Sequence, residues 1–170
     1  MSYIPVTMTP VERFMRSFVQ HYEEKKYWKR RSAVIDPNSR VPKLLRMYYL
    51  YYIKRCDSFN NASLGTHMGF GTRFKGTPTL VHGLYGIIIS HNASIGTDCT
   101  IYHQVTIGNT YGGAPTIGDH VTIGAGAKIM GNVKIGNNVT IGANAVVVHD
   151  VPDNTVVVAP EGVILRTHST

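Results

Sequence analysis

A chain of 170 residues is one domain's worth of polypeptide, and its net charge of +7 is carried unevenly. Residues 1–57 hold twelve Lys/Arg against five Asp/Glu, whereas residues 58–170 hold five of each, so the basic character belongs to the N-terminal third. That third has no nucleic-acid-binding motif, no apolar leader within Met1 to Glu24 and no apolar run near the roughly 20 residues a bilayer requires, so the expectation is a cytoplasmic protein that binds no nucleic acid.

Residues 1–57 read as a helical, basic N-terminal region. Thr9 followed by Pro10 and Glu12 has the pattern of an N-cap with Pro in the first helical turn, and Phe14, Phe18, Val19 and Tyr22 continue an apolar stripe. Asp36-Pro37-Asn38-Ser39 is a turn. A second helix runs from Pro42 to about Cys56, with Leu44, Leu45, Tyr48, Tyr52 and Cys56 at helical spacing. Between these elements, Lys25 to Arg31 is a basic run carrying the single Trp28. It reads either as a solvated helix face with Trp28 packed on the rest of the fold or as a surface for acidic membrane lipid, an acidic substrate or a second subunit.

From Asn61 a six-residue period begins imperfectly at Leu64 and Phe70, weakens through Pro78 and Gly83, and becomes regular at Ile87. Its anchors are Ile89, Ile95, Ile101 and Ile107, then Ile117, Ile123, Ile129, Ile135, Ile141 and Val147. Two positions before each anchor stands a small or apolar residue, such as Ala93, Cys99, Val105, Val121 and Ala127. A strand has period two and a helix 3.6, so a strict six is the mark of short strands and turns coiled into a β-solenoid over residues 58–158, followed by a tail at 159–170. The two cysteines, Cys56 and Cys99, form no disulfide framework and have no metal-ligand spacing, and Cys99 falls on an inward position.

With three hexads to a triangular coil, residues 18 apart lie above one another, or 22 apart across the extra residues near Tyr111 to Ala114, which must project from a corner. Ile101, Ile123 and Ile141 then form one column, so His103, Ala125 and Ala143 line one edge, and the small residues leave a shallow groove for a long thin ligand. A second column gives His91, Asn109, Gly131 and His149. His91, His120 and His149 read as solvated.

The runs Val105-Thr106-Ile107-Gly108-Asn109-Thr110, Pro115-Thr116-Ile117-Gly118 and Ile123-Gly124-Ala125-Gly126-Ala127-Lys128-Ile129-Met130-Gly131-Asn132 closely resemble the hexapeptide-repeat acyltransferases, within them the serine acetyltransferase-like branch and the polysaccharide-biosynthesis enzymes that share its core. The resemblance covers about residues 64–158; the first 60 residues are similar to the helical domain of serine acetyltransferases only in being helical. It implies a mainly β fold, a left-handed parallel β-helix behind a small helical region. It also implies a homotrimer with its site at the subunit interface, and acetyl-CoA as acyl donor without a metal. It assigns the catalytic base to His82 in Leu80-Val81-His82-Gly83, where a neutral imidazole removes the acceptor's hydroxyl proton. Donor-binding positions follow at Gly108, Asn109, Ala125, Lys128, Ala143, His149 and Arg166, and acceptor contacts at His103, Tyr111 and Tyr85.

The chain departs from that pattern. The Asp that orients the histidine in serine acetyltransferases has no counterpart, because no Asp or Glu lies between Ser58 and Thr97, and His67 occupies its neighbourhood. His82 must therefore be oriented by a backbone carbonyl, another side chain or another subunit. The loop Tyr111-Gly112-Gly113-Ala114 lacks the family's Arg-His pair, which leads to the expectation of a sugar or polysaccharide-precursor hydroxyl as acceptor. Serine O-acetylation, or a non-catalytic assembly subunit, are the alternatives. Metal-dependent CO2 hydration on the same solenoid would need a His-x4-His pair, which is absent.

Overall fold

The computed structural model describes residues 9–160. Three helices come first: α1 (Pro10–Gln20), α2 (Glu24–Ile35) and α3 (Lys43–Phe59). Pro10 opens α1, and the basic run lies in α2. α3 continues to Phe59, two residues past the expected boundary at 57. A short antiparallel pair, β1 (Thr66–His67) and β2 (Phe70–Gly71), joins the helices to the solenoid.

The solenoid makes four coils of three short parallel strands each. The first coil holds β3 (Arg73–Phe74), β4 (Thr79–Leu80) and β5 (Ile88–Ile89), and the second β6 (Ser94–Ile95), β7 (Thr100–Ile101) and β8 (Thr106–Gly108). β9 (Thr116–Ile117), β10 (Thr122–Ile123) and β11 (Lys128–Met130) make the third, and β12 (Lys134–Ile135), β13 (Thr140–Ile141) and β14 (Val146–Val147) the fourth, with β15 (Val156–Val157) beyond it. Stacking gives a first face β3-β6-β9-β12, a second face β4-β7-β10-β13-β15 and a third face β5-β8-β11-β14. The register aligns Ile101, Ile123 and Ile141, as the six-period requires.

Every anchor from Ile89 to Val147 is buried, and so is every residue two places earlier. Ile, Val and Thr suit the strands because a branched β-carbon packs on a pleated surface. The corners that follow the first and second faces in the second to fourth coils turn through a left-handed residue three places after the anchor: Asp98, Gln104, His120, Asn138 and Asn144 have φ between 51° and 58°, and Gly126 has φ 71°. Asn and Asp tolerate that region better than most side chains. Backbone bonds then run from coil to coil, as from Thr100 N–H to Val121 O at 2.9 Å and from Thr122 N–H to Val139 O at 2.9 Å.

The helices cap the first coil through polar groups. Arg31 is buried, donating from Nε to Thr66 Oγ1 at 3.1 Å and from one terminal nitrogen to Leu64 O at 3.0 Å and Thr72 O at 2.8 Å. Tyr27 is fully buried and its hydroxyl donates to Asp57 at 2.7 Å. Trp28 meets Phe74 edge-on at 5.0 Å, so the packed-Trp reading of the basic run holds. In contrast, Val11, Phe14, Phe18 and Val19 of α1 and Leu44 and Tyr48 of α3 are exposed on this single chain. Among the described residues no helix is long and apolar enough to cross a membrane.

Candidate active site

Strand pairing places Leu80 over Ile101, so the corner that leads from the second to the third face carries His82, His103, Ala125 and Ala143, each two residues past its anchor. The first coil then departs from the period. Leu80 to Ile89 takes nine residues instead of six, and the three extra residues form two consecutive tight turns, closed by Gly83 N–H to Leu80 O at 3.1 Å and Ile87 N–H to Leu84 O at 3.0 Å. Gly83 and Gly86 sit in the left-handed region at φ 69° and 66°. A Cβ on Gly86 would also fall 3.0 to 3.3 Å from Gln104, so this bulge requires glycine there.

The bulge decides where His82 goes. Along the corner Gly126 N–H bonds His103 O at 3.0 Å and Asn144 N–H bonds Ala125 O at 2.9 Å, but Gln104 N–H bonds Tyr85 O at 3.0 Å, not the carbonyl of His82. Tyr85 thus takes the regular place in the ladder, and His82 is displaced outward onto the rim, exposed, while His103 stays half-buried in the ladder. The two imidazoles meet with Nδ1 to Nδ1 at 2.8 Å, ring centroids 4.6 Å apart and planes at 76°. Tyr102 flanks His82 edge-on at 6.0 Å. An exposed imidazole held by a second ring has the chemistry that general-base catalysis uses.

Lys128 belongs to the same corner. Its ammonium donates to Gly126 O at 2.7 Å and Gln104 O at 3.1 Å, which sets a fixed cation beside the turn that carries His103. Ala125 and Ala143 leave the edge above the histidines free of bulky side chains, as a groove for a long ligand requires.

The remaining expected residues lie elsewhere. Asn109 and His149 are exposed on the corner that leads from the third to the first face. The insertion projects from that corner as a tight hairpin, Thr110 N–H to Gly113 O at 2.9 Å, with the Tyr111 side chain fully in solvent. Gly108 lies on the third face against Met130, where a Cβ would come 2.6 Å from the sulfur of that flexible side chain. One protomer therefore gathers His82, Tyr85, His103, Ala125, Lys128 and Ala143, and leaves Asn109, Tyr111 and His149 on a different edge. His67 stacks on Phe70 at 4.8 Å and faces His91 at 5.2 Å, and does not support His82. Arg166 lies outside the described residues.

Sequence reasoning found His82 and, one coil later, His103, and missed that they touch. The signals were the register that places one over the other and the nine-residue step flanked by Gly83 and Gly86. It also missed the buried Tyr27, Arg31 and Asp57 group, which no periodicity announces.

Comparison with known proteins adds the chemistry of relatives. Residues 114–149 match the family model for the bacterial transferase hexapeptide (six repeats). The chain is 47% identical over 84 residues to a serine acetyltransferase of Mycobacterium tuberculosis, an alignment covering 47% of this chain and 37% of that protein. Among solved structures, serine acetyltransferase isoform 3 of Entamoeba histolytica in complex with cysteine is similar with a TM-score of 0.61 and 34% identity, over 72% of this chain and 44% of that one. Serine acetyltransferase of Brucella abortus in complex with coenzyme A is similar with a TM-score of 0.60 and 26% identity, over 90% of this chain and 56% of that one. The chain thus spans well under two thirds of these proteins' lengths.

These likenesses overturn the expectation of a saccharide acceptor: the relatives are serine acetyltransferases. The physical reason for the error is visible in the corners. The expectation rested only on the cation missing from residues 111–114, while the histidine corner of each protomer carries a cation of its own, Lys128.

Proposed function

We propose that this chain, similar in repeat and solenoid to the hexapeptide-repeat serine acetyltransferases, transfers acetyl from acetyl-CoA to the hydroxyl of serine. The observation that carries this reading is the exposed His82 imidazole, paired with His103 on a corner edged by alanines, in a solenoid whose relatives perform that transfer.

The chemistry is direct transfer. The serine hydroxyl oxygen attacks the thioester carbonyl carbon while its proton passes to Nε2 of His82. The tetrahedral intermediate collapses with cleavage of the C–S bond, and the proton on Nε2 goes to the departing sulfur, leaving O-acetylserine and free CoA. A general base of this kind contributes about 10²- to 10⁴-fold. Cys56 and Cys99 are both buried, burial pushes both thiols up from their ordinary range, and neither is needed as a nucleophile.

The donor would lie along the corner past Ala125 and Ala143, with Lys128 beside the turn that carries His103. A homotrimer fits the split of the candidate residues: a second prism set beside the histidine corner can bring its own Asn109, Tyr111 and His149 to that edge, which one protomer alone does not do. The test is to supply acetyl-CoA with L-serine and follow thiol release. Serine-dependent release of one CoA per O-acetylserine is expected, and release that is indifferent to serine would refute the reading.

A further inference from the structure

We infer that His103 is the positioning residue for His82, accepting a hydrogen bond from His82 Nδ1–H and so leaving Nε2 of His82 as the basic nitrogen. This rests on the proposed acetyl transfer and goes beyond it by naming the group that orients the base and thereby makes Nε2 the nitrogen through which it acts.

The first ground is that carboxylates are engaged elsewhere. Among the described solenoid residues, Asp98 lies 3.7 Å from His120, and Asp119 accepts from Thr97 N–H at 2.8 Å. Asp150 accepts from Lys134 N–H at 2.8 Å, and Asp153 from Asn137 N–H at 2.7 Å. Asp57 is held by Tyr27 beneath the helices. The Nδ1 of His103, at 2.8 Å, is what meets Nδ1 of His82.

The second ground is proton accounting. A neutral imidazole has one N–H and one bare nitrogen, so two Nδ1 atoms at hydrogen-bond distance share a single proton. If His82 supplies it, Nε2 of His82 is bare and His103 carries its own proton on Nε2; if His103 supplies it, the roles reverse. The surroundings choose the first arrangement. His103 sits half-buried in the ladder with its carbonyl tied to Gly126 N–H, whereas His82 is exposed on the rim of a glycine-flanked bulge. A half-buried ring can orient an exposed one, and the exposed ring is the one a substrate reaches. The bond also survives the reaction, because an imidazolium at His82 still donates through Nδ1 to a neutral His103.

Substitution at 103 in the full chain separates this role from a substrate contact. His103→Asn places an amide oxygen near the former Nδ1, His103→Gln places its amide near the former Nε2, and His103→Phe keeps a ring without an acceptor. Turnover in His103→Asn should stay within about tenfold of the parent, whereas His103→Gln and His103→Phe should lower kcat by about 10²-fold, the order a general base contributes, with KM for serine and acetyl-CoA unchanged. Nitrogen-15 NMR of His82 should show the proton on Nδ1 in the parent and in His103→Asn, and on Nε2 in His103→Phe. Activity kept by Gln and lost by Asn, or a raised KM with unchanged kcat, would make His103 a substrate contact and overturn the inference. Full turnover in His103→Phe together with loss in His82→Ala would overturn this inference alone. Unchanged turnover in His82→Ala would remove the proposed base and this inference with it.

Discussion

The solenoid and the helical region in front of it are held together by different physics. In the solenoid every coil buries the same two positions of each hexad, so stabilisation is spread over a column of Ile and Val and renewed by each neighbouring coil. The helices leave much of their apolar stripe in solvent and are fastened by a compact group of buried polar side chains, Tyr27, Arg31 and Asp57, with Trp28 against Phe74. The first kind of stability is insensitive to pH and the second is not. Burial, as the largest cause, raises Asp57 from 3.8 to about 6, against the opposing hydrogen bond from Tyr27, and lowers Arg31 to about 10, still charged at neutral pH.

The largest expected effect breaks the solenoid. Ile129 is fully buried in the middle of the third face, and Ile129→Ala should cost about 3 kcal/mol in denaturant unfolding, with the same loss at pH 5 and pH 7. A loss that grew with pH would mean that the solenoid shares the helices' dependence.

A smaller effect sharpens the contrast. Because Asp57 has a raised folded value, the stability tied to it is fully present below about 4 and is lost as pH rises through about 6. Relative to Asp57→Asn, the parent should therefore lose on the order of 2–3 kcal/mol between pH 4 and pH 7. Parallel stability-versus-pH curves for the two proteins would show that the buried carboxyl does not couple the helices to pH.

The same division governs what could be read in advance. A strict period fixes which side chain points inward, and so the Ile columns, the corner ladders and the projecting loop at Tyr111 follow from spacing. The corner shared by His103, Ala125 and Ala143 follows from the register, because Ile101, Ile123 and Ile141 pair as spacing demands. Spacing falls silent where the period breaks. The bulge after Leu80 moves His82 off the ladder and Tyr85 onto it, and only the backbone bond from Gln104 to Tyr85 reveals the exchange. The helices show the limit from the other side: Phe14, Phe18 and Leu44 are apolar at helical spacing yet exposed here, and beside the buried Tyr22, Val34, Ile53 and Cys56 lie an Arg, a Tyr and an Asp that periodicity would assign to solvent.

The acceptor was misjudged for a related reason. A missing cation in the Tyr111 hairpin looked decisive because the loop was read by itself, without Lys128 on the histidine corner.

The most direct test of the whole account is serine-dependent CoA release by the parent and by His82→Ala at equal protein concentration, with the assembly of each checked by sedimentation. The account predicts a fall of about 10²- to 10⁴-fold in His82→Ala with assembly unaltered. An equal rate in the two proteins would contradict it and place the chemistry away from this corner.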